Sequence, residues 1–205
     1  MTTDTHHGFI LLEKAKNETS HSSIYPLKRI FHSKVGHTGT LDPMATGILI
    51  CAIGEATKFL QYTPKDAKKT YVAAIQLGVK TDTADITGEV IQKHEVPCLT
   101  LDAIKSLITQ KFTGNITQTP PIYSALKYKG KPYYHYARKG ETIPIKTRDV
   151  NIEKIENIKY NRTKHQVELT ARVSSGTYIR SLAEDIADTL GTIGCLLSLS
   201  RTAIE

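Results

Sequence analysis

An α+β fold is predicted for this chain, and three observations predict it. Val167, Leu169, Ala171 and Val173 alternate with Glu168, Thr170 and Arg172, the two-residue period of a half-buried strand. Two other stretches repeat at helical spacing: Leu101, Ile104, Leu107 and Ile108 in one, and Ile179, Leu182, Ala183, Ile186, Ala187 and Leu190 in the other. Strand-like and helix-like segments do not alternate regularly, which disfavours a doubly wound parallel sheet.

In chain order, the short apolar run at residues 9–12 reads as a buried strand, and 48–53 as another, bounded by Gly47 and Gly54. Residues 71–77 form a strand-like run that ends at Gly78. Thr100 is placed to cap the first helix, with Gly114 following its end, and Gly191 is placed to stop the second. No repeat, low-complexity tract or strong linker divides the chain, so residues 1–205 are expected to form one domain.

Charge and cysteine usage narrow the functional classes. Lys and Arg number 27 against 20 Asp and Glu, with a pI near 9.2. A basic surplus suits a polyanionic partner such as nucleic acid. Cys51, Cys98 and Cys195 are far apart and odd in number, and no Cys/His spacing suggests zinc. A reduced, cytoplasmic setting is therefore expected. The longest apolar run, 48–53, is far too short to span a bilayer as a helix, so no membrane association is expected.

The densest punctuation is Gly36-His37-Thr38-Gly39-Thr40-Leu41-Asp42-Pro43-Met44-Ala45-Thr46-Gly47. So constrained a loop, leading into a buried strand, suits precise display of a side chain. Asp42 has two readings, an exposed functional carboxylate or the N-cap of a helix opening at Pro43. The string resembles the catalytic signature of the TruB family, the tRNA pseudouridine-55 synthases. Further similar strings follow in family order. They are Lys69-Thr70-Tyr71, Leu77 to Gly88, Pro120-Pro121-Ile122-Tyr123-Ser124-Ala125-Leu126-Lys127, Tyr136-Ala137-Arg138-Lys139-Gly140, and Ser174-Ser175-Gly176-Thr177-Tyr178-Ile179-Arg180-Ser181-Leu182-Ala183.

The resemblance implies a pseudouridine synthase fold, a central and mostly antiparallel sheet flanked by helices and loops. It also implies a mechanism in which Asp42 attacks the target uridine at C6 of the base or C1′ of the ribose. The glycosidic bond breaks, the uracil turns, and C5 bonds to the ribose. No cofactor or metal is implied, because nothing is oxidised and the carboxylate supplies the covalent handle. Arg180 matches the family's partner cation for the aspartate, a role that suits a guanidinium. Tyr71 matches the tyrosine that stacks on the base and is suspected of taking the C5 proton; as a residue it reads equally as core. Tyr178 and Leu199 match residues lining the uridine pocket, and Leu199 also reads as plain core. His37 matches the histidine that holds the flipped nucleotide, where a lone loop His otherwise faces solvent. The implied partner is the T arm of tRNA, and a monomer is expected.

Three other features complete the reading. Asp82, Asp85 and Thr87 before Gly88 lack the spacing and closing glutamate of a calcium loop and read as turn chemistry. Basic and aromatic residues interleave from Lys127 through Lys129 to Tyr136, with Arg138 beyond, a pattern suited to RNA contact. His6 and His7 read as a disordered end. The chain also departs from the family pattern. The usual Asp-Lys-Pro-x-Gly-x-Thr-Ser is replaced by Glu13-Lys14-Ala15-Lys16-Asn17-Glu18-Thr19-Ser20, so a bend at Ala15 to Glu18 is not assured. A closing Arg-Arg pair is replaced by Ser200-Arg201, one potential phosphate contact fewer, and no counterpart of the family's C-terminal RNA-binding (PUA-like) extension follows. The alternatives are a non-catalytic tRNA-binding folding factor, or a synthase acting on another RNA.

Overall fold

The computed structural model describes residues 6–64 and 67–205. Two compact units make up the chain: the first runs to Tyr71 and resumes at Leu199, and the second is Val72–Ser198. The architecture is α+β, with mixed strand pairing and a few helices.

In the first unit, β1 (Gly8–Lys14) lies antiparallel along β3 (Thr46–Ile53), from Gly8 opposite Ile53 to Lys14 opposite Gly47. β3 also pairs antiparallel with β2 (Val35–Thr38) at residues 50–53, and parallel with β12 (Gly194–Ile204) at Thr46 and Gly47. Two short helices, α1 (Ser20–Ser23) and α2 (Tyr25–Phe31), lie between β1 and β2. Ile24, Val35, Leu49, Cys51 and Ile53 form a core against which Ile10, Leu12, Leu27 and Phe31 pack. The expected buried strand at 9–12 is a strand but is not buried. Phe9 is 58% and Leu11 70% exposed, because β1 turns only its even-numbered residues towards that core.

The second unit orders its strands β4-β11-β10-β7, with β4 at Lys69–Leu77, β7 at Gly114–Gln118, β10 at Arg148–Asn161 and β11 at Gln166–Val173. β10 is antiparallel to both neighbours. Val167, Leu169, Ala171 and Val173 are all buried, as their alternation predicts. The expected helices are α3 (Leu101–Phe112) and α5 (Ile179–Thr189). Thr100 caps α3 by accepting from the Ala103 N–H, and Ile104, Ile108 and Phe112 are buried on it. α5 buries Leu182, Ala183, Ile186 and Ala187, and Gly191 follows it at φ 79°, a left-handed stop. Smaller pieces are β5 (Val79–Thr81) with β6 (Val90–Lys93), β8 (Lys127–Tyr128) with β9 (Lys131–Pro132), and the five-residue α4 (Tyr133–Ala137).

Candidate active site

Asp42 sits in the connection between β2 and β3, and no helix opens at Pro43. The helix-cap reading is therefore excluded. The Ala45 N–H donates to the Asp42 carbonyl at 3.0 Å, which closes a tight turn around Pro43 and Met44. Both sides of this turn are anchored. On one side the buried Ser20 hydroxyl donates to the Leu41 carbonyl (3.1 Å) and accepts from the Leu41 N–H (2.9 Å). On the other, the Pro43 carbonyl accepts from the Asn17 N–H at 2.8 Å and from Lys14 Nζ at 3.1 Å.

Lys14 is wholly buried, and its ammonium also donates to the Ala15 and Glu18 carbonyls at 2.8 and 2.7 Å. Burial pushes this amine below its ordinary range, while the charges of Glu18 and Asp42 pull the other way. The bend that the sequence left open is present. Asn17 adopts φ 66° at the family's glycine position, and asparagine tolerates the left-handed region better than most residues. Lys14 was legible only as part of a motif, because a lysine among Glu13, Lys16 and Glu18 otherwise reads as surface.

Three more expected residues stand in the same unit. Tyr71, on β4, is 7% exposed. Burial raises its phenol above the ordinary range; Arg201 lowers it through charge and a side-chain hydrogen bond, and the Asp42 charge raises it further. His37 lies in strand β2, opposite Cys51, and is half-buried rather than in a solvent-facing loop. Burial, then the charges of His21 and Arg201, hold its imidazole below the usual value and so favour the neutral ring. Leu199 is buried, and its carbonyl accepts from Thr46 Oγ1 at 3.5 Å.

Arg201, the arginine that remains of the family's closing pair, is 1% exposed. Its Nε donates to the Ile48 carbonyl at 2.8 Å. Gly47 explains how its strand comes so close: a Cβ there would stand 2.2 Å from the Arg201 carbonyl oxygen.

The second unit holds the remaining expected residues. Arg180, in the first turn of α5, is 4% exposed. It donates from Nη1 to the Thr83 carbonyl (3.0 Å) and from Nη2 to the Tyr123 carbonyl (2.9 Å). Tyr178 is the half-buried N-cap residue of α5. Gln118, fully buried and missed in the sequence, donates to its carbonyl (3.0 Å) and accepts from its N–H (2.8 Å). Asp85 Oδ1 accepts from Thr83 Oγ1, Thr87 N–H and Thr87 Oγ1 at 3.2, 3.0 and 2.5 Å, the turn chemistry expected of this segment. Lys127, Lys129 and Arg138 are exposed. Lys129 lies over the Tyr128 ring at 5.4 Å and Arg138 over the Tyr134 ring at 5.4 Å.

Known proteins share this organisation. The tRNA pseudouridine synthase B of Francisella tularensis subsp. tularensis (strain WY96-3418) is 45% identical over 197 residues, covering 95% of this chain and 64% of the relative. That of Francisella philomiragia subsp. philomiragia (strain ATCC 25017) is 44% identical with the same coverage. The chain thus spans less than two thirds of the length of these relatives. Among solved structures, that of a Cbf5-Nop10-Gar1 complex matches with a TM-score of 0.72 and 29% identity, over 96% of this chain and 48% of that one. An H/ACA RNP bound to a substrate RNA containing 2′-deoxyuridine matches with a TM-score of 0.68 and 27% identity, over 96% and 47%. Residues 28–179 match the family described as TruB family pseudouridylate synthase (N terminal domain), and to that family this chain belongs.

Proposed function

We propose that this chain is the catalytic domain of a tRNA pseudouridine synthase that isomerises uridine 55 in the T loop of tRNA. The observation that carries the reading is the turn presenting Asp42, anchored on both sides by buried Ser20 and Lys14. A carboxylate held so firmly on its backbone needs little reorganisation before it attacks. The flipped uridine is received by aromatic faces, with Tyr71 and Tyr178 the candidates and His37 holding the displaced nucleotide. Asp42 forms a bond to C6 of the base or C1′ of the ribose, and the bond between N1 and C1′ breaks. The uracil turns and C5 bonds to C1′. The C5 proton leaves, N1 gains one, and the bond to Asp42 breaks so that the carboxylate is returned; substrate and product are therefore isomers and no redox partner enters. Tyr71 takes the C5 proton in this scheme, and Arg180 serves the same chemistry from α5. Leu199 provides an apolar wall.

A single domain that acts as a monomer in the cytoplasm, gripping the T arm partly through Lys127, Lys129 and Arg138, completes the proposal. Among the described residues no helix is long and apolar enough to cross a membrane. Action on another RNA is the second reading, raised by the likeness to an H/ACA particle, and the higher identity to tRNA synthases favours tRNA.

The test is tritium release from a tRNA transcript labelled at uridine C5. One equivalent released from a single T-loop site is expected, and none from Asp42→Asn, which keeps the shape and loses the nucleophile. Binding without release by the unsubstituted protein would make it a folding factor. More than a trace of turnover by Asp42→Asn would remove Asp42 from the mechanism.

A further inference from the structure

Arg201 is among the largest fully buried side chains of the chain, and no role assigned so far uses it. Burying a guanidinium is costly, and it stays charged wherever it is placed. Its Nε is satisfied by the Ile48 carbonyl at 2.8 Å, whereas Nη2 is buried with no hydrogen-bond partner among the described residues. Two glycines make room for it. Gly47 lets β3 lie against the Arg201 backbone, and a Cβ on Gly39, at φ 68°, would stand 3.2 Å from Nη1. Tyr71 is on the neighbouring strand within the same unit. There Thr202 Oγ1 donates to the Thr70 carbonyl at 3.3 Å, and Lys68 and Glu205 exchange backbone bonds of 2.9 Å.

We propose that Arg201 is a positioning residue for Tyr71: pinned by Ile48, it holds the phenol oxygen in place and supplies the opposite charge its ionised form requires. The proposal rests on the reading of Tyr71 as the acceptor of the C5 proton. A buried phenol ionises reluctantly, and the Asp42 charge adds to that reluctance; Arg201 is the group that opposes both. A proton acceptor must be available near neutral pH, so the guanidinium sets how much of Tyr71 can act. A purely structural arginine would leave the ionisation of Tyr71 to burial and the Asp42 charge.

The test is ultraviolet titration of the tyrosines in the full chain without RNA, paired with tritium-release kinetics on tRNA. The chain has ten tyrosines, so the Tyr71 transition is taken as the difference from Tyr71→Phe. In Arg201→Met and Arg201→Gln, both neutral, that transition is expected to move to higher pH. The kcat is expected to fall by roughly 100-fold or more, with KM little changed. Arg201→Lys, which restores the charge, should return the transition towards its original position and recover part of kcat. An unmoved Tyr71 transition in either folded neutral variant overturns the proposal. If neither neutral variant folds, Arg201→Lys decides: wild-type kcat overturns it, since one ammonium cannot replace a fork that serves Ile48 and Tyr71 together, and a lowered kcat with unchanged KM upholds it. The titration needs no turnover. A wild-type protein that releases no tritium would therefore defeat the proposed function while leaving the link between Arg201 and Tyr71 measurable.

Discussion

Two duties are proposed for Tyr71, and one substitution pair can separate them. Phenylalanine keeps the ring and removes the hydroxyl, whereas leucine removes both. If the tyrosine takes the C5 proton, Tyr71→Phe is expected to bind tRNA normally and to stop before tritium release, while Tyr71→Leu also weakens binding. Near-normal turnover by Tyr71→Phe, measured in a single-turnover assay, would confine the residue to stacking. Its aromatic type and its place in a strand-like run were legible in the sequence. Its link to Arg201 was not, because 130 positions separate them and only the pairing of β4 and β12 brings them near.

At the scale of elements, two predictions concern what the turns and helices demand. Asn17 holds φ 66° where β1 leads into α1, and its N–H anchors the Asp42 turn at Pro43. A β-branched residue is strained in that conformation. Asn17→Val is expected to lose about 1 to 2 kcal/mol in chemical denaturation, while Asn17→Gly costs little. Turnover should fall with the valine even at temperatures where the protein stays folded, because the anchor of the Asp42 turn shifts. Unchanged stability and turnover would show that the segment adapts.

The second concerns Asp185 on α5, raised from 3.8 to about 6 by burial and by the charge of Asp188. The folded-state value lies above the unfolded one, so the group's contribution to stability is fully present below about pH 4. It is lost as pH rises through about 6. Asp185→Asn is therefore expected to stabilise the protein at neutral pH by about 1 kcal/mol, a figure discounted for partial solvent screening. Melting temperatures across this range should converge with the wild type at low pH; a constant offset at every pH would contradict the shift.

For the whole molecule, the governing quantity is charge. A formal net charge of +7 attracts a polyanion at long range, and each phosphate contact releases counterions on binding. Affinity for tRNA is expected to fall with salt, with a log–log slope of roughly 0.7 to 0.9 per contact. Lys129→Ala and Arg138→Ala should each reduce that slope by about one contact's worth if the exposed hairpin and α4 touch the backbone. Filter binding at several salt concentrations measures it. An unchanged slope in both variants would return these residues to the solvated surface that their stacking on Tyr128 and Tyr134 already satisfies.

Periodicity and punctuation made α3, α5, β3, β4 and β11 readable, because each depends on side chains within a few residues of one another. The resemblance placed Asp42 as the leading candidate by the same local means, through a string of adjacent residues. Long-range features were beyond it. β1 was expected buried because an apolar run carries no sign of which face is covered, and only its pairing with β3 decides that Leu12 faces in and Leu11 out. The burial of Arg201 and Lys14 left no mark in the sequence, since a charged residue is buried only where partners from other segments satisfy it, here Ile48 for one and Glu18 and Pro43 for the other. The sequence by itself determined which residues could do chemistry and where the helices cap and stop. Tertiary structure alone decided which charges are withdrawn from water, because desolvation depends on neighbours that the chain supplies from far along its length.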